Sequence, residues 1–320
     1  MPERKFFCIV NGAAGGGSCG PRAQASLAKL RAAGLHLDVY TTSGPGHATT
    51  LAREAYTDGH RHFLAVGGDG TTFEVVNGLF CSPNSNVTAN ADSASNSNAA
   101  GLNAASPVTL GILPLGTGNS FLRDFHVNTE EQARQALVAG QSKACDVIRV
   151  SHRDGELFYL NLLSLGLSAT VGAAANRHFK RFGLAGYALA LLGRLARLDH
   201  PSFPLRLDDA PESDPRPCTL LSFSNSKFTG GTMKMAPNAD VADGFLDVIR
   251  VGAFTPWATL RTFPSIYRGT HVTKAGIEQT RARRVRFDEE IETDVMIDGE
   301  VLRLALRSLE VLPGALQVIA

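Results

Sequence analysis

The chain contains 320 residues, 44% hydrophobic and 19% charged, a composition that excludes a globally disordered protein. At roughly 150 residues per domain, this length predicts two domains. Lys and Arg number 31 and Asp and Glu number 30, and the resulting formal net charge of +1 excludes the overall basic surface that is typical of nucleic-acid-binding proteins.

Alternating strands and helices are predicted for the first part of the chain. Short apolar runs indicate strands at Phe6–Val10, Leu37–Tyr40, His62–Val66 and Leu110–Leu113. Polar–apolar periodicity indicates helices at Arg22–Ala33, His47–Asp58, Thr71–Leu79 and near Ser120. This alternation is typical of a parallel sheet covered by helices, so an α/β domain is predicted over residues 1–145.

Two changes of composition mark the rest of the chain. Residues 82–106 are dominated by Ser, Asn and Ala, and they bury too little apolar surface to offset the entropy lost on ordering. They are therefore predicted to form a flexible surface insertion. After Asp146, short strand-like runs separated by turn residues favour a mostly β domain over residues 146–308, with one helix predicted at Gly183–Leu198.

The cysteines and one long uncharged stretch bear on the location of the protein. The five cysteines are odd in number and lack CxxC spacing, so we expect neither a disulfide framework nor a structural zinc site, and a reducing cytoplasm fits best. Leu157–Asn176 carries no charge, yet its Asn, Ser, Thr and Gly residues favour a buried strand followed by the start of a helix over a membrane span.

Three glycine-rich loops each follow a predicted strand of the first domain. They occupy Asn11–Gly17, Gly67–Thr72 and Pro114–Ser120. In an open parallel sheet, such loops line one crevice, and glycine lets backbone N–H groups approach phosphate oxygens closely. The pattern predicts a polyphosphate ligand. Neither a Walker loop nor a GxGxxG fingerprint is present, which argues against P-loop ATPases and Rossmann dehydrogenases.

The motifs together resemble a known family. Gly67–Thr71, with Glu74–Gly78 behind it, resembles the signature of the diacylglycerol kinase catalytic domain, whose relatives include sphingosine, ceramide and NAD kinases. Gly116–Asn119 resembles its second nucleotide loop, and the resemblance continues at Ala236–Asp247 and Asp298–Glu300. It implies an NAD-kinase-like α/β domain and a C-terminal β-sandwich that contacts the lipid, with residues from about 309 to 320 returning to the first domain.

The same resemblance implies the activity. We expect an ATP-dependent kinase that phosphorylates a hydroxyl of a membrane lipid, with diacylglycerol as the first candidate and a sphingoid base or ceramide as the alternative. A soluble-substrate kinase of the NAD kinase type and a non-catalytic nucleotide sensor are the rival hypotheses. The implied cofactor is Mg²⁺, and the implied location is cytoplasmic and peripheral to the inner membrane surface. A homodimer is compatible with the resemblance.

Site residues follow from the resemblance position by position. Glu300 or Asp69 would take the proton from the lipid hydroxyl, Asp69 would also orient Mg²⁺, and Asp298 and Asp146 would support them. The implied ATP contacts are Asn11, Gly12, Ala13, Ala14, Gly15, Thr42, Gly67, Gly68, Asp69, Gly70, Thr71, Thr72, Phe73, Gly116, Thr117 and Asn119. The implied structural Mg²⁺ ligands are Asp240, Asp243 and the carbonyl of Phe245.

Three features of these motifs leave alternatives open. On an extended segment, Asp298 and Glu300 would point to the same face, whereas an Asp-Gly hairpin turn is the other interpretation. Ser120 departs from the family, many bacterial members of which have Asp there, so one acidic group of the expected metal network is missing. Arg177–Phe182 alternates cations with aromatics, which indicates either a lipid-facing surface or a solvated basic face.

Overall fold

The computed structural model describes residues 5–81, 107–174, 193, 195 and 198–320. The insertion predicted at 82–106, the basic and aromatic segment at 177–182 and nearly all of the helix predicted at 183–198 lie outside these residues. Among the helices of the described ranges, none is both long enough and apolar enough to cross a bilayer.

A parallel sheet forms the centre of the first domain, as the sequence predicts, in the strand order β4-β3-β1-β2. The strands are β1 (Lys5–Val10), β2 (His36–Thr41), β3 (His62–Gly67) and β4 (Val108–Pro114). The helices are α1 (Cys19–Ala32), α2 (His47–Thr57), α3 (Asp69–Phe80) and α4 (Glu130–Ala139). Two 3₁₀ helices, Ala14–Gly17 and Phe121–Phe125, complete the domain, and the second stands where a helix near Ser120 was predicted.

The family signature in α3 has a structural basis. Asn77 is buried and binds the second domain in both directions, since its Nδ2 donates to the Phe158 carbonyl at 2.8 Å and its Oδ1 accepts from the Phe158 N–H at 2.9 Å. Glu74 accepts from the Ala48 N–H at 3.1 Å, which ties α3 to α2. These side chains fix α3, and thereby the loop before it, against both domains.

The second domain is mostly β, as predicted, and its strands pair antiparallel with one another. They are β5 (Ser142–His152), β6 (Gly155–Tyr159), β7 (Leu162–Gly166), β8 (Leu205–Leu207), β9 (Leu220–Ser224), β10 (Phe228–Thr229), β11 (Met233–Lys234), β12 (Leu246–Val251), β13 (Ile277–Ala282), β14 (Arg284–Phe287), β15 (Glu292–Ile297) and β16 (Glu300–Ile319). Helices α5 (Leu167–Ala174) and α6 (Pro256–Thr262) and the 3₁₀ helices Phe263–Ile266 and Thr270–Thr273 accompany them.

The long strand β16 connects the two domains. It pairs antiparallel with β15, β14 and β5, and its last residues, Leu316–Ile319, pair parallel with β4 of the first domain. The sheet order β13-β12-β9-β7-β15-β16-β4-β3-β1-β2 therefore runs through both domains. As a result, the turn at the start of β16 has a fixed position relative to the loops that follow β3 and β4.

Candidate active site

The second and third glycine loops are in direct contact. The N–H groups of Leu115 and Gly116 donate to the Gly67 carbonyl at 2.8 and 2.9 Å. A Cβ placed on Gly68 would lie 3.1 Å from the Gly116 Cα, closer than side chains normally approach. Because positions 68 and 116 are both glycine, the backbones of the two loops can come into contact at the carboxyl ends of β3 and β4.

The first loop joins the same edge. Asn11 donates from Nδ2 to the Thr71 hydroxyl at 3.1 Å and accepts at Oδ1 from the Ala13 N–H at 3.1 Å. A Cβ on Gly15 would lie 2.8 Å from the Leu115 carbonyl oxygen. Thr42 follows β2 and donates its N–H to the Val10 carbonyl at 2.9 Å. The structure therefore brings together, at one sheet edge, the loops in which the predicted ATP contacts lie.

Three of the predicted ATP contacts, Thr71, Thr72 and Phe73, have buried side chains. Thr72 and Phe73 are 6% and 8% exposed, and Phe73 packs in the apolar core of the second domain. Thr117, in contrast, is exposed at the tip of its loop. The first turn of α3 can offer backbone N–H groups and the positive end of a helix to an anion, whereas the side chains of Thr72 and Phe73 serve packing.

Gly12 allows the nucleotide loop to be tested without disturbing the fold. A Cβ at this position meets nothing within 4 Å, whereas one on Gly68 would push against Gly116. We expect Gly12→Ala to raise the KM for ATP about tenfold and to leave the melting temperature unchanged, because the methyl group takes the space of a phosphate oxygen. Steady-state kinetics and thermal unfolding measure both effects.

Gly20→Ala is the matched control, since a Cβ on Gly20 also meets nothing within 4 Å but lies in α1. Equal KM values for ATP in the two variants would mean that the first loop does not contact the nucleotide.

Asp69 is the first residue of α3 and faces the loop after β4. Both of its carboxylate oxygens accept the Ser120 N–H, each at 3.0 Å, and a Cβ on Gly118 would lie 2.9 Å from Oδ2. Burial raises the pKa of Asp69, and the Ser120 N–H opposes that shift. Asp69 is therefore held in one orientation between the loops that follow β3 and β4.

The segment Asp298–Glu300 forms a tight turn, so the extended interpretation is wrong. Asp298 has a φ of 46° and Gly299 a φ of 90°, and Ile297 pairs with Glu300 across the turn. Both central residues of a two-residue hairpin of this kind need a positive φ, which Asp-Gly tolerates better than most dipeptides. The two acidic side chains therefore do not share the face of a strand.

Asp298 organises the turn through its own carboxylate. Its oxygens accept the N–H groups of Leu160, Asn161 and Leu162, each at 3.0 Å. Burial raises the pKa of Asp298 to about 7; the Leu160 and Leu162 N–H groups oppose this shift, and the charge of Asp69 adds to it. Asp298 thus anchors the start of β16 to the segment between β6 and β7 and acts as a positioning residue.

The pKa of Asp298 makes stability depend on pH. The pKa of Asp298 in the folded protein exceeds its ordinary value of 3.8. Between about pH 4 and 7, Asp298 is therefore protonated in the folded protein and ionised in the unfolded chain. Its contribution to the free energy of unfolding therefore falls as the pH rises through that window. We expect Asp298→Asn, which cannot titrate, to lose less stability than the wild type between about pH 4 and 7 in urea denaturation.

The exposed Asp209 provides the control, since Asp209→Asn should follow the wild-type curve. Parallel curves for wild type and Asp298→Asn would show that Asp298 does not titrate in this window.

Glu300 lies on the other side of the turn, against α3. Its side chain is exposed, and a Cβ on Gly70 would lie 2.8 Å from the Glu300 Oε1. The carboxylate therefore rests beside the first turn of the helix that follows the nucleotide loop, open to solvent and to the second domain. This is a suitable position for a base that meets a hydroxyl arriving from the second domain.

Two residues without a predicted role connect the domains at this site. Ser120 is fully buried, and its hydroxyl accepts the Gly231 N–H at 2.8 Å while its own N–H binds Asp69. Asp124 accepts from the Ser226 hydroxyl at 2.6 Å and from the Lys227 N–H at 3.1 Å. In the sequence, the departure from the family pattern drew attention to Ser120 but not to its contact with Gly231. No sequence motif marked Asp124.

The residues predicted to bind a structural metal ion lie in one loop, residues 240–245, whose two carboxylates accept hydrogen bonds from backbone N–H groups of the same loop. Asp240 accepts from the Ala242 N–H at 3.1 Å, and Asp243 accepts from the Phe245 N–H at 3.0 Å. Asp146 holds the same loop through the Gly244 N–H at 2.6 Å. Carboxylate and carbonyl oxygens in a short turn suit a hard cation. Arg281 forms an ion pair with Asp243, so a bound cation would compete with this guanidinium.

Comparisons with known proteins identify both domains. Residues 5–150 match the model of the diacylglycerol kinase catalytic domain, and residues 161–320 match that of the YegS C-terminal NAD kinase beta sandwich-like domain. A diacylglycerol kinase of Mycobacterium tuberculosis is 29% identical, over 98% of this chain and 94% of its own. A probable lipid kinase YegS-like protein of Pseudomonas aeruginosa is also 29% identical, over 99% and 95%.

Solved structures give the same fold. The crystal structure of a diacylglycerol kinase from Bacillus anthracis superposes with a TM-score of 0.66 at 22% identity and covers 100% of this chain and 97% of its own. The two family models together span nearly the whole described chain, in the order that the domains take here. The chain therefore belongs to the family of lipid kinases that join a diacylglycerol kinase catalytic domain to a YegS C-terminal domain.

Proposed function

We propose that this protein transfers the γ-phosphoryl group of ATP to the free hydroxyl of diacylglycerol. The observation that carries the proposal is the junction at which the two contacting glycine loops, Asp69 and Glu300 meet. The glycine loops supply backbone N–H groups for phosphates, and two carboxylates stand beside them at the border of the second domain. Phosphoryl transfer requires mainly positioning and charge stabilisation, which such an arrangement provides.

In the proposed reaction, Glu300 accepts the proton of the lipid hydroxyl. The hydroxyl oxygen then bonds to the γ-phosphorus, the bond from that phosphorus to the β,γ-bridging oxygen breaks, and ADP leaves. A divalent cation, which we propose to be Mg²⁺, would neutralise phosphate charge when bound with ATP. Asp69 would hold that cation, because its carboxylate is fixed between the two nucleotide loops by the Ser120 N–H.

We propose a second, structural Mg²⁺ at Asp240, Asp243 and the Phe245 carbonyl. If the cation competes with Arg281 for Asp243, Mg²⁺ should raise the melting temperature of the wild type, and it should do so at lower concentration in Arg281→Met. Asp240→Ala should abolish the response. Thermal unfolding against Mg²⁺ concentration, without nucleotide, measures all three. A response that is the same in the wild type and Asp240→Ala would place the cation elsewhere.

The acceptor is tested by incubating the purified protein with labelled ATP and a panel of acceptors. The panel contains diacylglycerol, monoacylglycerol, sphingosine, ceramide and NAD, each with the Glu300→Gln variant as a control for contaminating kinases. We expect label in diacylglycerol. Label confined to sphingosine or ceramide would identify the other lipid class, label in NAD would favour the soluble-substrate hypothesis, and label in none of them would contradict the proposed reaction.

We also propose that the enzyme works in the cytoplasm at the inner membrane surface. All five cysteines are buried and none of them is in a disulfide bond, which suits a reducing compartment, and a diacylglycerol acceptor resides in a bilayer. A homodimer is the oligomeric state that we propose to test, by light scattering of the purified protein with and without vesicles. A single mass equal to that of the monomer would contradict it.

A further inference from the structure

A small hairpin of the second domain lies at the domain junction. Strands β10 and β11 form a separate two-stranded sheet, and residues 230–232 make the turn between them. Residues 228–234 together form the junction hairpin. Gly230 and Gly231 have φ values of 54° and 91°, which glycine adopts without strain. The tip of the hairpin is thus a short stretch of bare backbone.

This tip lies against the loop that follows β4 in the first domain. The Gly231 N–H donates to the Ser120 hydroxyl at 2.8 Å, and a Cβ on Gly231 would lie 3.3 Å from the Gly118 carbonyl oxygen. Gly118 in turn lies next to Asp69, since a Cβ on it would lie 2.9 Å from the Asp69 Oδ2. The hairpin tip therefore contacts the loop residues that adjoin Asp69.

Ser120 stands between the hairpin tip and Asp69. It is fully buried, and its N–H donates to both carboxylate oxygens of Asp69 at 3.0 Å. Its hydroxyl accepts from Gly231, which leaves the hydroxyl hydrogen free to donate. Burial raises the pKa of Asp69, and the N–H and the hydroxyl of Ser120 both oppose that shift. The hydroxyl thus acts on Asp69 as a donor while it accepts from the second domain.

A hydroxyl suits this position better than the other small side chains. It donates one hydrogen bond and accepts another at the same oxygen atom. Alanine would do neither, and an ionised carboxylate would accept from Gly231 but would repel the charge of Asp69. Serine at position 120 therefore makes one continuous hydrogen-bonded path from the hairpin tip to the Asp69 carboxylate.

The base of the hairpin is anchored independently of its tip. The Ser226 hydroxyl and the Lys227 N–H donate to the Asp124 carboxylate at 2.6 and 3.1 Å. The Ser226 N–H donates to the Asn161 carbonyl at 3.1 Å, and the Asn161 N–H donates to Asp298 at 3.0 Å. A loss of the tip contact would therefore leave the hairpin attached and the two domains joined.

We propose that Ser120 is a positioning residue for Asp69, and that through its hydroxyl the tip of the junction hairpin strengthens the binding of a divalent cation with ATP in the first domain. The proposal rests on the proposed function in one respect, namely that Asp69 holds this cation. Because a coupling between two sites acts in both directions, the bound nucleotide should in turn stabilise the hairpin tip. Nucleotide binding is thereby linked to the presence of the domain that carries Glu300.

Amide hydrogen exchange measures this coupling without any lipid. With the full-length protein, we expect Mg²⁺ and an ATP analogue with a non-hydrolysable β,γ-bridge to slow exchange severalfold in peptides that cover residues 226–234. Peptides of β13, at the far edge of the long sheet, should not change. In Ser120→Ala the analogue should no longer protect the hairpin. Equal protection in the wild type and Ser120→Ala, or none in the wild type, would overturn the proposal.

Calorimetry of nucleotide binding tests the effect in the other direction. Ser120→Ala should raise the Kd of the Mg²⁺ complex of the analogue about tenfold, as expected when a hydrogen bond to a charged group is lost. Without Mg²⁺, the Kd should equal that of the wild type, because Asp69 acts through the cation. In turnover, kcat should fall about tenfold at an unchanged KM for the acceptor. Ser120→Cys, a weaker donor and acceptor of similar size, should lie between the two.

Ser222→Ala is the matched control for the loss of a buried hydroxyl. Ser222 is also fully buried, but its hydroxyl bonds to Ser224 of the same strand at 3.2 Å. This variant should have a lower melting temperature and bind the Mg²⁺ complex like the wild type. An equal loss of affinity in Ser120→Ala and Ser222→Ala would reflect destabilisation alone and would overturn the positioning role.

Gly231→Ala disturbs the same path from the second domain. Its Cβ would press on the Gly118 carbonyl, and its φ of 91° strains any residue except glycine, so the donor to Ser120 should move. We expect weaker binding of the Mg²⁺ complex, and no further loss when Ser120→Ala is added, because both changes break one path. Gly155→Ala, at another positive-φ glycine of this domain, should bind like the wild type.

The double variant separates this proposal from the proposed function. Losses of affinity that add in Ser120→Ala/Gly231→Ala would show two independent effects and would overturn the coupling. Non-additive losses in a protein that phosphorylates none of the lipids would contradict the proposed function and leave the coupling intact. Circular dichroism verifies that each variant is folded.

Discussion

Replacement of Glu300 by glutamine is expected to lower kcat by about 10²-fold or more and to leave the KM for ATP little changed. Glutamine keeps the size of the side chain but cannot accept the proton of an attacking hydroxyl, and general-base catalysis is typically worth ~10²–10⁴ in rate. The Glu300 carboxylate lies beside Gly70, outside the contact between the two glycine loops, so nucleotide binding should survive. Single-turnover kinetics with saturating ATP isolate the chemical step.

Glu289→Gln is the matched control, because Glu289 is an exposed glutamate of the same domain in the loop before β15, at the opposite end of that strand from Glu300. It should retain wild-type turnover and stability. Full activity of Glu300→Gln would exclude Glu300 as the base, and a comparable loss in Glu289→Gln would indicate that charge alone, and not position, is responsible.

The first domain was predictable because its signals are local. Each nucleotide loop follows an apolar run and precedes a helix, so strand, loop and helix can be recognised within about twenty residues. The convergence of the loops then follows from the parallel sheet, since the carboxyl ends of the strands share one edge. The Asp298–Gly299 turn could also be predicted from the sequence, because an Asp-Gly pair between apolar residues is a strong signal for a β-hairpin.

Strand β16 and helix α6 show where local signals fail. The sequence predicts only short strands separated by turn residues after Asp146, yet β16 runs unbroken from Glu300 to Ile319. Pro313 and Gly314 lie at an irregularity of its pairing with β5. A proline is tolerated at such a bulge, which makes the strand look interrupted in the sequence. Helix α6 is only seven residues long and depends on the Thr255 cap, whose hydroxyl accepts the Ala258 N–H.

The side-chain hydrogen bonds between the domains could not be predicted from the sequence. The hydrogen bond from Gly231 to Ser120 and the one from Ser226 to Asp124 each join residues more than 100 positions apart. No pattern in one stretch of sequence specifies such a pair, because each partner alone is an ordinary loop residue. The sequence shows Ser120 only as a position where many family members have Asp. Its hydrogen bonds to Asp69 and to Gly231 of the second domain are visible only in the structure.

Replacement of Asp69 by asparagine should abolish most of the activity for a different reason. Both carboxylate oxygens accept the Ser120 N–H, so the asparagine side chain would keep one acceptor but turn an amide group towards that donor. The variant would also lose the negative charge that attracts a cation. We expect kcat to fall by more than about 10²-fold and the Mg²⁺ concentration for half-maximal activity to rise, measured by titrating Mg²⁺ at fixed ATP.

Asp124→Asn separates this effect from a loosened domain junction. Asp124 is also a buried carboxylate, but it accepts hydrogen bonds from Ser226 and Lys227 of the second domain, whereas Asp69 accepts its hydrogen bond from the loop after β4. Asp124→Asn should lower the melting temperature without shifting the Mg²⁺ requirement. If Asp69→Asn instead removes turnover at an unchanged Mg²⁺ requirement while Glu300→Gln stays active, Asp69 is the base.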